Sequence, residues 1–154
     1  MDAVLLDTDV FSFLIRPGDT RGDLYRPLVK GKTVALSFIS LAELYVWTVT
    51  RNWGPQKLAV FEERMKVCVI IPYDLELCKT YARIKAKLPA GQICPVNDFW
   101  IAICAIRHSI PLLTHNKRDF EKIPGLKLLT KQPMADPIKT GNLFTGAKHS
   151  EEKS

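Results

Sequence analysis

The sequence predicts an α/β fold in which a central parallel sheet of four to five short strands is covered by helices on both faces. Three observations carry this reading. Short aliphatic runs such as VLL, TVALSF and IPLLT recur along the chain. Helical stretches separate them. Acidic residues trail these runs at Asp7, Glu43 and Asp119, while a fourth, Asp98, opens a long apolar helix. In an open parallel sheet, residues just past the carboxyl ends of the strands converge on one crevice.

The elements follow in order. Val4–Leu6 is short and aliphatic and gives way at once to polar residues, which marks a buried first strand. Val10, Phe11, Phe13 and Leu14 make a short amphipathic helix that Pro17-Gly18 stops. Residues 20–30 form a second helix carrying Arg21, Arg26 and Lys30. Thr33–Leu36 is the second strand. Ser40 opens a helix to about Thr50, closed by Trp53-Gly54-Pro55, and another helix fills 55–66. Cys68–Ile71 is the third strand, ended by Pro72. A helix over 74–88 has a basic outer face of Lys79, Arg83, Lys85 and Lys87. Asn97 to His108 is apolar nearly all round, the mark of a buried helix. Ile110–Thr114 is the fourth strand and Leu126–Leu129 a short fifth.

The chain has 154 residues, enough for one domain able to bury roughly 68–70% of its unfolded surface. That domain is placed at 1–130. Periodicity fades from Lys131, so 131–154 is expected to be a partly disordered tail. Lys and Arg number 22 against 16 Asp and Glu. A basic body around a small acidic pocket suits a polyanionic substrate. Cys68, Cys78, Cys94 and Cys104 show no C-x-x-C pair, which excludes a zinc site on spacing and points to reduced thiols in the cytoplasm. No secretory signal is expected, because Asp2 and Asp7 flank only a short apolar stretch. The longest apolar run, Phe99–Ile106, is too short to span a bilayer.

Each acid also satisfies a local structural role. Asp7, Thr8 and Asp9 are all good N-cap residues. Ser40-Leu41-Ala42-Glu43 matches the S-x-x-E capping box. Asn97 is a good cap, with Asp98 just inside it to complement the helix dipole. Asn116 is placed to cap a short turn containing Asp119. Taken together the balance differs: Asp7 ends a central strand and Asp98 leads Phe, Trp, Ile and Ala, so both carboxylates sit in partly dry settings. Buried carboxylates need a cation, a hydrogen-bond network or a proton.

The runs LLDTDVFSFL, ISLAEL, NDFWIAICA and LLTHNKRDF resemble, in order and spacing, the PIN-domain ribonucleases, and among them the VapC-type toxins of toxin–antitoxin pairs. The resemblance covers about residues 3–130. It implies a PIN-like three-layer α/β/α domain with acidic metal ligands at Asp7, Glu43, Asp98 and Asp119. Thr8, Thr114 and Asn116 match supporting polar positions. Ligation at the last motif is shared between Asn116 and Asp119. The resemblance further implies Mg²⁺ (or Mn²⁺) as cofactor, RNA as substrate, products with 5′-phosphate and 3′-hydroxyl ends, a cognate antitoxin and a homodimer. Asp9 departs from the family's more usual Asn, Ser or Thr and is assigned to the helix cap. Arg16, Lys117 and Arg118 flank the motifs as candidate guiding cations, each equally explained as a solvated surface charge, and Tyr45 and Trp47 are candidates to stack bases. Trp100 is assigned to core packing. His115 is given no general-base role.

Two other functions fit parts of the sequence. Leu5-Leu6-Asp7-Thr8-Asp9-Val10 matches the D-x-D motif of haloacid-dehalogenase-like phosphatases, with Asp7 as nucleophile and Asp9 as acid/base. The later G-D-x-x-x-D motif of that family is missing. An inactive PIN-like RNA-binding protein is the non-enzymatic alternative, against which all four acids stand.

Overall fold

The computed structural model describes residues 2–131. The sequence-assigned tail therefore lies, apart from Lys131, outside the described residues. The elements run β1 (Ala3–Leu6), α1 (Thr8–Ile15), α2 (Thr20–Val29), β2 (Thr33–Ser37), α3 (Phe38–Thr50) and α4 (Pro55–Lys66). They continue with β3 (Val69–Ile71), α5 (Leu75–Lys87), α6 (Val96–Arg107), β4 (Leu112–Leu113), α7 (Lys117–Phe120) and β5 (Leu128–Leu129). The last two strands are shorter than the sequence predicts. Pro111 cannot donate to a ladder, and Gly125, at φ 83°, is still turning the chain before β5.

The five strands are all parallel in the order β3-β2-β1-β4-β5. The chain builds outward from β1 through β2 to β3, then returns to lay β4 on the other side of β1. That reversal puts the topological switch point between β1 and β4, where open parallel sheets place their sites.

Side chains alternate across the sheet with the period of two that a strand imposes. Leu5, Ala35 and Leu112 join α5 and α6 through Leu77, Ile84, Phe99 and Ile103 on one face. Val4, Leu6, Leu36 and Leu113 join Val10, Phe11, Leu44 and Phe61 of α1, α3 and α4 on the other. Two apolar layers sandwich one sheet.

Helix starts differ from the sequence reading in ways that matter. Ser37, not Ser40, caps α3, accepting from the Ser40 N–H at 3.0 Å. The helix begins a turn early because Phe38 and Ile39 bury against the sheet. Glu43 is then past the first turn and cannot close a capping box. Pro95 precedes α6, so Asn97 lies inside the first turn beside Asp98 rather than capping it. Asp7 itself caps α1, which corrects the assignment of that role to Asp9.

Gly22 is where α2 crosses α1 most closely. A Cβ there would sit 2.6 Å from the Phe13 carbonyl oxygen, a backbone atom that cannot swing away. In an open helix Gly→Ala gains about 1 kcal/mol. Here the clash wins, and Gly22→Ala is expected to destabilise the fold by roughly 1–3 kcal/mol, read as a lowered urea midpoint at unchanged slope.

Candidate active site

Asp7 follows β1 directly and is 5% exposed. Its backbone N–H extends the β1–β4 pairing to the Leu113 carbonyl at 2.9 Å, so its side chain rises at the switch point. One carboxylate oxygen accepts from the Thr8 N–H and the other from the Thr114 hydroxyl, both at 2.8 Å. Burial pushes this carboxyl up to about 6, and the charges of Asp9 and Glu43 add to the push. The bonds from Thr114 and Thr8 oppose it, because both favour the ionised form.

Asp98 enters from the first turn of α6. Burial, then the negative charges of Asp7, Asp119, Glu43 and Asp9, raise its carboxyl to about 7. Glu43 of α3 is raised by the same kind of burial, opposed by hydrogen bonds from Thr8 and Asn97. Its Oε1 lies 2.9 Å from the Thr8 hydroxyl, which is also 2.9 Å from the Ser40 hydroxyl. A hydroxyl carries one proton, and a carboxylate is the stronger acceptor. Thr8 therefore donates to Glu43 and accepts from Ser40, which in turn has the Ser37 hydroxyl at 3.3 Å.

Asp119 sits on α7. Its Oδ2 takes a 2.5 Å bond from Asn116 Nδ2, and the Asn116 N–H donates to Thr114 Oγ1 at 3.0 Å. Asn116 thus precedes α7 without a side-chain cap, using its amide to fix Asp119 instead. Cys94 also borders the site, its Sγ 3.4 Å from the Asp119 carbonyl. Burial and the charges of Asp98 and Asp119 push its thiol up to about 11, so it is a neutral spectator.

The structure brings Asp7, Glu43, Asp98 and Asp119 into mutual electrostatic range, with Thr8, Thr114 and Asn116 on the hydrogen bonds around them. Asp9 is exposed, yet its charge raises three of the four acids, so it belongs to the cluster's field. Ser37 and Ser40, both buried, are site supports; the sequence reading assigned Ser40 only to helix capping and gave Ser37 no role. His115 is structural. Its ring meets Phe13 and Tyr25 edge to face, and its Nδ1 lies 2.5 Å from the Tyr25 hydroxyl. Trp100 stacks on Tyr81 at 4.2 Å, consistent with packing.

Among the described residues no three acidic, His or Cys side chains close into a ready ligand cage. The crowding of charge and the open geometry are compatible. A hard cation that keeps several waters needs only one or two direct carboxylates, with the rest acting through water. The all-oxygen donor set and the elevated carboxyls fit such an ion.

The fold and site define a three-layer α/β/α domain with a carboxylate-lined crevice at the switch point of a parallel sheet. The chain belongs to the PIN domain family, whose model matches residues 4–126. Ribonuclease VapC2 of Rickettsia felis is 30% identical over 129 residues, spanning 80% of this chain and 94% of that protein. The solved VapBC2 of Rickettsia felis, bound to a DNA fragment from its promoter, superposes with a TM-score of 0.72 at 27% identity, over 83% of this chain and 98% of that one. VapBC-5 of Mycobacterium tuberculosis, from the VapBC family of toxin–antitoxin systems, gives a TM-score of 0.62 at 25% identity, over 84% and 98%.

The raised carboxyls dictate a sign for pH dependence. The folded protein holds protons on Asp7 and Asp98 up to about 6 and 7, while the unfolded chain releases them near 3.8. This stabilisation is complete below pH 3.8 and is lost as pH rises to about 7. In chelator, urea midpoints are expected to fall over that window. Asp98→Asn should flatten the fall and stabilise the protein above pH 7.

Proposed function

We propose that this chain is a divalent-metal-dependent endoribonuclease, the toxin of a toxin–antitoxin pair. The observation that supports it best is the pair of carboxyls at Asp7 and Asp98, raised to about 6 and 7 by burial and by the charges of neighbouring acids in a domain of the PIN family. A bound Mg²⁺ or Mn²⁺ would neutralise the phosphoryl oxygens and supply an activated water. Asp7 and Asp98 are the principal holders of that ion. Thr114 and the Thr8 N–H aim the Asp7 oxygens into the crevice. Glu43, steadied by Thr8, orients the attacking water, and Asp119, fixed by Asn116, completes the acidic wall.

Solved relatives form VapBC complexes, which supports a small antitoxin as the silencing partner. The proposed homodimer has an apolar surface available in the exposed Tyr73 and Leu75. No helix among the described residues is long and apolar enough to cross a membrane.

RNA cleavage with Mg²⁺ or Mn²⁺, with and without chelator, tests this reading. Wild type should cut only with metal. Asp98→Asn should lose about 10²-fold or more in rate, and Thr114→Val, which spares the ligands but frees Asp7, about 10–100-fold. A wild type inert toward RNA under every metal condition would sink the proposal. An aryl phosphate turned over by Asp98→Asn but not by Asp9→Asn would move the protein to the phosphatases.

A further inference from the structure

Three cations gather at the far ends of the helices that start in the crevice. Arg16 ends α1, Arg51 ends α3, and Lys57 stands in the first turn of α4. Arg16 and Lys57 line a cleft of about 410 Å³ with Ser12, Trp53, Gln56 and Val60, and the charge of Arg51 reaches Lys57 beside it. Aromatic rings hold two of the cations in place: Arg51 lies 4.2 Å over Trp47, and Lys57 lies 4.2 Å over Trp53. Among the described residues neither has a carboxylate partner. Arg16 reaches only Asp19, at 3.9 Å, and that carboxylate is already bonded to Arg21 at 2.8 Å.

Helix dipoles account for Arg16 and Arg51, since a cation is favoured at a helix C-terminus. They do not account for Lys57. It sits at the positive end of α4, and loss of solvent, then the charges of Arg16 and Arg51, lower its pKa. The buried Trp53 indole N–H beside it lacks a hydrogen-bond acceptor. The contact with Trp53 steadies Lys57 but cancels none of the repulsion from two neighbouring arginines, which a ligand of opposite charge would relieve. Here that ligand is an anion.

Placement says which anion. Glu43, Trp47 and Arg51 follow at intervals of four along one side of α3, and Asp9, Ser12 and Arg16 descend α1 beside it. Arg51 is about 12 Å along the helix from Glu43, and Arg16 about 10 Å from Asp9. Stacked nucleotides advance about 3.4 Å per phosphate along one strand, so both spans equal about three steps.

We propose that Arg16, Arg51 and Lys57 form a phosphate-binding subsite that holds the RNA strand about three nucleotides from the bond to be cut. This rests on the nuclease reading above. The rings serve to fix the cations rather than to stack bases, because Lys57 covers the Trp53 face and Arg51 covers that of Trp47.

Anisotropy titration of a labelled 12-nucleotide single-stranded RNA in chelator reads binding without cleavage. The full-length Arg51→Gln/Lys57→Gln variant should bind about tenfold more weakly or worse, with a log Kd–log salt slope lower by about 1.4, or about 0.7 per lost contact. Arg83→Gln/Lys87→Gln, an equal charge loss on exposed positions of α5 across the sheet, should change neither slope nor affinity comparably. With metal, the first variant should raise KM and keep kcat, and should lose its defect on RNAs too short to reach the cleft. Equal effects from the two variants, or a defect independent of RNA length, overturn the subsite. So does an acidic peptide that needs these cations while RNA does not. If wild type cuts RNA and both variants match it, the subsite alone fails. If wild type binds through these cations but cuts nothing, the nuclease reading fails instead.

Discussion

The hydrogen bond between Asp7 and Thr114 is the constraint around which this molecule is organised. It spans the switch point, joining the residue after β1 to the residue after β4 at 2.8 Å. Both residues are almost fully buried. An isolated carboxylate in such a place is costly to ionise, and its raised carboxyl records that cost. The sheet cannot relieve it by turning Asp7 outward, because the Asp7 N–H is already committed to Leu113. The backbone that builds the fold therefore forces the charge into the crevice.

The other acids are arranged so as to deepen this cost rather than share it. Glu43, Asp98, Asp119 and Asp9 arrive from four helices, and the charges of Glu43, Asp119 and Asp9 all bear on Asp98. Hydroxyls and amides rather than cations steady them: Thr8 for Glu43, Asn116 for Asp119, Thr114 for Asp7. Neutral donors fix geometry and leave the net negative charge in place. A salt bridge would fix geometry and cancel it, removing the attraction for a divalent ion.

Much of this was legible in the sequence because parallel strands buried on both faces must be short aliphatic runs, and VLL and TVALS could hardly be anything else. The four acids were legible because strand ends converge. What the sequence could not reveal was which serine caps α3. Ser37 and Ser40 both fit the capping preference, and only the burial of Phe38 and Ile39 decides between them. That single turn of helix changes Glu43 from a capping group into a site group. Asp9 was misassigned for a related reason: in the run Asp7-Thr8-Asp9, the cap belongs to whichever residue the strand releases first, and β1 ends at Leu6. The pairings of Arg51 with Trp47 and of Lys57 with Trp53 have the i,i+4 spacing of helix neighbours in the sequence, but both lie at helix ends, whose positions depend on packing.

The separation of positive and negative charge along α1 and α3 follows from the same electrostatics. A free arginine in the crevice would pair with a carboxylate, as Arg21 does with Asp19, whose carboxyl it holds at about 2. Arg21 is close enough to the acidic mouth to feel Asp9, and Asp19 occupies it with two side-chain hydrogen bonds, at 3.0 and 2.8 Å. The unpaired cations stand a helix length away instead. At about 10–12 Å in physiological salt, where the Debye length is about 8 Å, they are largely screened from the acids. A polyanion lying between the two regions would contact both directly. Along α1 and α3, acids and cations stay uncancelled because the helices hold them apart, which makes the lengths of these two helices part of the site.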